Sequence, residues 1–327
     1  MALRTQKQWN LRSTRISEGD FTIELIGTDT VPNSYTAVAA GLFDGVHLGH
    51  RAVIGKAAEI ARENKDISAA VFTFDTATVT SKGGSLGCIL GREDKLSMLG
   101  QLGAEYVYSP DFASFKEYTA ERFVKEVLHE KMRAKYVVCG VDFRFGKGAS
   151  GNAEILKKLG EECGITVITV PPVSEENGRK ISSTHIRELI SAGEISEANA
   201  LLGYDYFFTL PVISGNRIGR TIDFPTINQR LGAERAMPRF GVYASKAEVG
   251  GKTYFGITNV GVKPTVSDSD IVLAETYMIG FDGDLYGERV RLSLVKFIRP
   301  ERKFGGIAEL KAQIKNDVNT VSDFFGI

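Results

Sequence analysis

The chain has 327 residues, which at about 100–200 residues per domain predicts two domains. Its 40 Lys+Arg balance 40 Asp+Glu, so it lacks the cationic surplus that a general nucleic-acid coat or an anionic-membrane binder needs. Hydrophobic residues make up 43% and charged residues 24%, enough to fill a sizeable core, and no apolar run approaches the ~18–20 residues that span a bilayer.

Residues 1–17 carry Arg4, Lys7, Arg12 and Arg15 with no acidic residue before Glu18. Without an apolar core this is no secretory signal, and it reads as a solvated basic leader or a first turn of structure rather than an organellar transit peptide. From 36 to 202, apolar strand-like runs (Thr36–Ala40, Ile67–Phe74, Tyr106–Tyr108, Tyr136–Val141, Ile165–Val170) alternate with helix-like stretches (Arg51–Asn64, Arg92–Leu102, Ala120–Lys131, Ala153–Glu162). That alternation predicts βαβ units around a parallel sheet, whose ligands bind at the carboxyl ends of strands. One further helical stretch, Ser183–Leu202, closes this half. The boundary is expected near 203–206, dividing 21–202 from 203–327. Beyond it, Leu210–Ser214, Gly241–Val249, Thr253–Asn259, Val272–Ile279 and Arg289–Phe297 are joined by Gly-, Asp- and Asn-rich turns with no helix between them, as in an antiparallel barrel or sandwich. Ile307, Leu310, Ile314 and Val318 mark one face of a last helix that would cover it. Cys88, Cys139 and Cys163 form no CxxC pair, so no disulfide scaffold or structural zinc site is expected, and a reducing, cytoplasmic setting is.

The first chemical site is Gly41-Leu42-Phe43-Asp44-Gly45-Val46-His47-Leu48-Gly49-His50, between the first strand and the first helix. A helix start favours phosphate through its free N–H groups and dipole. His47 and His50, three apart, can face one side, and Gly49 opens room for a phosphate chain near the backbone. Two imidazoles with backbone donors suit charge stabilisation at an α-phosphoryl group as pyrophosphate leaves. Capping or surface histidines are the bland alternative. Far along the chain, Ile181-Ser182-Ser183-Thr184-His185-Ile186-Arg187 offers hydroxyls that can cap a helix, with Arg187 one turn further in, a second phosphate clamp.

Two further motifs are decoys. Gly146–Gly151 fits GxGxxG but follows a late strand, and Gly251-Lys252-Thr253 lacks the first glycine and the helix of a P-loop.

The second site is the glycine-punctuated basic loop Gly215–Asp223 with Phe224-Pro225-Thr226-Ile227-Asn228. Gly215, Arg217, Gly219 and Arg220 suit a phosphate lid. Thr226 and Asn228 offer two oxygens on one face of a strand to a hard cation. Glu275, inside an apolar strand run, is either on the solvated face or a general base for an attacking alcohol.

GLFDGVHLGH with ISSTHIR resembles the nucleotidyltransferase α/β-phosphodiesterase superfamily. Gly140-Val141-Asp142-Phe143-Arg144-Phe145-Gly146 narrows the likeness to the adenylyltransferase half of the bifunctional bacterial riboflavin kinase/FAD synthetase family. The second half resembles that family's kinase through Gly219-Arg220, Phe224–Asn228, Gly241–Ala244, Asn259–Gly261, Glu275 and Phe281–Gly287. The resemblance implies a Rossmann-like domain followed by a six-stranded barrel, riboflavin, FMN and ATP as partners, and Mg²⁺ with the ATP. It implies that His47 and His50, with Gly41, Phe43 and Gly49, hold ATP phosphates, helped by Ser182, Ser183, Thr184 and Arg187, with Asp142 and Phe143 near the nucleotide. It implies that Thr226 and Asn228 bind Mg–ATP and that Glu275 is the kinase base. Leu42 stands where the family usually has Asn, and Thr76-Ala77-Thr78 where it commonly has a proline-histidine-proline run. A kinase joined to a non-catalytic nucleotide-binding half, or to an adenylyltransferase for another substrate, is the alternative.

Overall fold

The computed structural model describes residues 14–18, 21–27, 30–75, 87–214, 224–263 and 271–327. Most of the basic leader, the Thr76–Thr78 position and the loop holding Gly215, Arg217, Gly219 and Arg220 lie outside them. The described residues fall into two compact units. One comprises residues up to 75 with Lys95–Lys180, the other 87–94 with Ile181–Ile327.

The first unit is a seven-stranded sheet in the order β1-β2-β5-β4-β3-β6-β7. Its strands are β1 (Thr14–Glu18), β2 (Phe21–Leu25), β3 (Tyr35–Ala40), β4 (Ile67–Phe72), β5 (Tyr106–Tyr108), β6 (Ala134–Gly140) and β7 (Thr166–Val170). All pairings from β2 to β7 are parallel, and only β1–β2 is antiparallel. β3 reads Tyr-Thr-Ala-Val-Ala-Ala with every residue after the first buried, as expected for a strand covered on both faces. Helix α1 (Leu48–Glu63) buries Val53, Ile54, Ala57, Ala58 and Ile60, one stripe at helical spacing. It begins three residues before the expected Arg51, because His47 caps it. α2 spans Arg92–Gln101. α3 is α-helical over Ala120–Arg122 and π-helical over Phe123–Lys131, where Met132 N–H donates to Val127 O five residues back at 2.9 Å. α4 is Ala153–Glu162. The chain runs β3-β4-β5 toward one edge, then β6-β7 toward the other, so the topological switch lies between β3 and β6.

In the second unit, the expected single helix over Ser183–Leu202 is two, α5 (Ser183–Ala192) and α6 (Ile195–Leu202), because Gly193 turns left-handed at φ 85°. Both count with the barrel, so this compact unit begins ahead of 203. Six antiparallel strands, β8 (Tyr206–Ile213), β9 (Thr226–Leu231), β10 (Gly241–Val249), β11 (Lys252–Lys263), β12 (Ile271–Met278) and β13 (Arg289–Pro300), close in the order β10-β11-β12-β9-β8-β13. Inward positions carry a polar ladder: Thr258 Oγ1 donates to Ser245 Oγ at 2.7 Å and lies 2.8 Å from Thr276 Oγ1. Outward positions Val242, Ala244 and Ile257 pack on the last helix, α7 (Ile307–Phe325), through Ile314, Val318, Val321 and Phe325. The Gly251-Lys252-Thr253 decoy is the turn between β10 and β11, with Gly250 and Gly251 both at positive φ. The GxGxxG decoy is a local loop in which Phe145 and Gly151 exchange backbone bonds.

Candidate active sites

Site residues of the first unit gather at the switch point. β3 and β6 are neighbours, Ala39 paired with Val138, and both run parallel. The Gly41–His50 turn leaves the carboxyl end of β3, and Val141–Gly146 leaves that of β6. The motifs recognised separately in the sequence are thus set side by side where open α/β sheets bind ligands. Gly41 N–H donates to Phe72 O at 3.1 Å, and a Cβ there would stand 2.8 Å from the Phe43 ring. Phe43 and Val46 are left-handed at φ 48° and 36°, which costs on the order of 1–3 kcal/mol each for non-glycine residues. Both are buried, at 2% and 0% exposure, and Arg51 Nε donates to Val46 O at 3.2 Å. The Leu42 carbonyl accepts from Thr73 Oγ1 and from Lys95 Nζ, each at 2.7 Å.

His47 is the N-cap of α1. Its Nδ1 accepts from His50 N–H at 3.4 Å, so a neutral His47 carries its proton on Nε2. The His47 and His50 rings stack with centroids 3.5 Å apart, and Phe43 meets His50 edge-on at 5.4 Å. A Cβ on Gly49 would lie 3.2 Å from the His47 ring, so the space this glycine opens belongs to the capping imidazole. Phe143 stacks on Phe145 at 5.6 Å. Asp142 is ion-paired with Lys180, and that hydrogen bond holds its carboxyl below the ordinary value of 3.8.

The Ser182–Arg187 motif expected to clamp phosphate belongs to the second unit. Ser182 caps α5, accepting from His185 N–H at 3.3 Å, with Ser183 and the exposed Thr184 in the first turn. Arg187 Nε donates to Gly87 O at 2.7 Å, a bond to the 87–94 segment that sequence reasoning did not foresee. This segment is stapled throughout. Cys88 N–H donates to Glu234 O and Ala236 N–H to Cys88 O, both at 2.7 Å, and the buried Asp94 accepts from Thr209 N–H at 3.3 Å and Arg235 Nη2 at 3.4 Å.

The barrel's outer face carries the second constellation. In register across three strands stand Asn259, Glu275 and Asn228, and one pair further along Ile257, Tyr277 and Thr226. Strand alternation puts all six on one face. Five of them (all but Asn228) line a cavity of about 290 Å³, together with Phe224, Val242, Arg299, Glu301, Arg302, Phe304 and residues of α7. Glu275 is half-buried there rather than solvated, and Asn228 is buried. Asn259 Nδ2 donates to Glu301 Oε1 at 3.1 Å. The roof is fixed by a bidentate pair in which Arg299 Nε and Nη2 reach Asp317 at 3.0 and 2.7 Å, while Gln313 Nε2 donates to the same carboxylate at 2.8 Å. Asn259, quoted in the sequence only as part of a family motif, and Tyr277, not singled out there, both line the cavity, although period-two alternation from Glu275 predicts Tyr277.

The first unit thus carries a turn with two stacked imidazoles at a helix start, and the second a cavity lined by Glu275, Glu301 and Asp317. A family model described as FAD synthetase matches residues 30–185, and one described as riboflavin kinase matches 202–325. Proteins named bifunctional riboflavin kinase/FMN adenylyltransferase are similar along nearly the whole chain. That of Listeria monocytogenes serovar 1/2a is 36% identical, covering 92% of this chain and 96% of its own. That of Bacillus subtilis strain 168 is 37% identical, covering 89% and 92%. The Escherichia coli K12 protein is 33% identical, covering 90% and 95%. A crystal structure from Streptococcus pneumoniae described as a macrolide-efflux protein superposes with TM-score 0.79 at 33% identity, covering 90% of this chain and 95% of that one. Among the described residues here, no helix is long and apolar enough to cross a membrane. The chain belongs to the bifunctional riboflavin kinase/FMN adenylyltransferase family.

Proposed function

We propose that this chain makes both flavin cofactors. At the barrel cavity, ATP phosphorylates the terminal hydroxyl of riboflavin, giving FMN and ADP. At the β3/β6 crevice, the phosphate of FMN attacks the α-phosphorus of ATP, giving FAD and pyrophosphate. The adenylyltransferase is assigned to 21–202 and the kinase to 203–327, in a reducing, cytoplasmic setting that suits three free cysteines.

The observation that carries the reading is the register of β9, β12 and β11, which sets Glu275 between Asn228 and Asn259, with Glu275 and Asn259 lining the cavity. Glu275 takes the proton from the attacking hydroxyl, and the aromatic walls Phe224 and Tyr277, edge to face at 5.1 Å, suit a flat ring. The oxygen donors of Thr226 and Asn228, alternate residues on that face, fit Mg²⁺ held with ATP. A magnesium ion bound there supplies charge neutralisation for the transferring phosphoryl group. At the crevice, His47, His50 and the start of α1 stabilise charge on the α-phosphoryl group, with Asp142 and Phe143 beside the nucleotide; Ser182, Ser183, Thr184 and Arg187 are assigned to ATP phosphates by their family motif. Gly219 and Arg220 are assigned to the kinase phosphates.

Supplying riboflavin with ATP, and separately FMN with ATP, and separating products by chromatography tests this. FMN in the first incubation and FAD in both are expected. FMN without FAD would reduce the protein to a kinase.

A further inference from the structure

We propose that Lys95 is a positioning residue for adenylyl transfer, acting through the carbonyl of Leu42. The inference rests on reading the Gly41–His50 turn as the adenylylation site. Lys95 lies on α2 and is 3% exposed. A lysine is almost never buried so far without partners, because its charge must be solvated by something. An ammonium has three hydrogens to give. Here Leu42 O at 2.7 Å, Thr73 Oγ1 at 2.7 Å and Phe74 O at 3.2 Å are placed to receive them. Thr73, itself fully buried, donates its hydroxyl hydrogen to the same Leu42 carbonyl at 2.7 Å. Leu42 O therefore takes one bond from the ammonium directly and one relayed through the hydroxyl.

That carbonyl opens the strained part of the turn. The Leu42 side chain is 49% exposed, so little of its packing holds the residue in place. The next residue, Phe43, has φ 48°. A trans peptide is planar, with its N–H opposite its C=O. Drawing the Leu42 carbonyl inward onto Lys95 and Thr73 turns the Phe43 N–H the other way, out of the sheet end, where a backbone donor can serve an anion. Lys95 also ties the turn to the end of β4 through Phe74 O, so the two segments keep one spacing. Lys95 touches no substrate in this scheme, and its effect passes through the peptide plane.

The test compares Lys95→Met, which keeps the aliphatic stem, with Thr73→Val and Thr73→Ser. In the full-length chain, Lys95→Met should lower FAD formation from supplied FMN by about 10–100-fold with a raised KM for ATP, the scale of a small misplacement of reacting groups. Riboflavin phosphorylation in the same preparation should be unchanged. Thr73→Val should shift KM for ATP in the same direction by less, and Thr73→Ser should restore it. A purely structural role would reduce active protein and leave KM alone, so an unchanged KM in both Lys95→Met and Thr73→Val overturns the proposal. If Lys95→Met does not fold, the valine–serine pair decides. His50→Ala is the control: normal FAD formation there overturns the reading of the turn itself, whereas its loss beside normal Lys95 and Thr73 variants overturns the role of Lys95 alone.

Discussion

Glu275 shows how little of a residue's role is written in its own neighbourhood of sequence. Its flanks, Ala274 and Thr276, point into the barrel, and its partners come from β9 and β11. Glu275→Gln keeps the shape and loses the proton acceptor. FMN formation should fall by about 10²–10⁴-fold while FAD formation from supplied FMN stays near normal. Steady-state assays of both reactions on one preparation check this, and a parallel fall in both would deny the two-site division. Asp142 gives a test by titration. Its hydrogen bond to Lys180 lowers the folded carboxyl below 3.8, so the contribution to stability is present above that value and is lost as pH falls through the depressed one. Lys180→Met should move the Asp142 midpoint up toward 3.8, read by carboxyl-carbon NMR. His47 and His50 can be singled out in the sequence by their spacing together with their place on a strand-to-helix turn. Lys95 cannot: within Arg-Glu-Asp-Lys-Leu-Ser-Met-Leu-Gly-Gln it is one charge among several, and only the fold reveals that it and Asp94 are the buried ones.

Among elements, the βαβ alternation and the apolar stripe of α7 could be read because burial imposes a period on them. β1 and β2 escaped because Thr-Arg-Ile-Ser-Glu and Phe-Thr-Ile-Glu-Leu are short runs carrying charges, with β1 at the sheet edge and β2 next to it, and have little to distinguish them from a loop. The break between α5 and α6 was overlooked because Ser183–Leu202 stays amphipathic across it. Backbone geometry at Gly193 makes the break: Gly193 N–H returns to Ile190 O at 3.2 Å and Glu194 N–H to Leu189 O at 2.9 Å. A Cβ there would lie 3.0 Å from Arg239 Cδ, on a left-handed backbone. Gly193→Ala should destabilise the second unit by about 1–2 kcal/mol, and Gly193→Asn by less. Urea unfolding followed by circular dichroism measures the difference.

At the scale of the molecule, domain boundaries drawn from motif order and from packing do not coincide. Motif order places α5 and α6 with the nucleotide-binding half, yet their side chains complete the barrel unit. Asn199 donates from Nδ2 to Leu294 O at 3.0 Å and accepts from Tyr206 N–H at 2.8 Å, and Ile195, Ala198 and Leu202 are at most 1% exposed. Fully burying an Ile or Leu side chain is worth about 1.5–3 kcal/mol. A fragment of residues 203–327 should therefore melt below one of 181–327, by roughly 3–5 °C for each kcal/mol lost. Calorimetry of the two fragments decides, and equal melting temperatures would mean that the helices add nothing to the barrel.

The stapled 87–94 segment also has a consequence in time. Its partners are far downstream: 100 residues separate Gly87 from Arg187, 115 separate Asp94 from Thr209, and 141 separate Asp94 from Arg235. A ribosome adding about 5–20 residues per second leaves the segment waiting on the order of ten seconds before Arg235 exists. Throughout that interval Cys88 and Asp94, both buried in the finished protein, have no barrel to enter. For this short stretch, synthesis and folding run in opposite order: it is translated among the early strands and settles with the late ones.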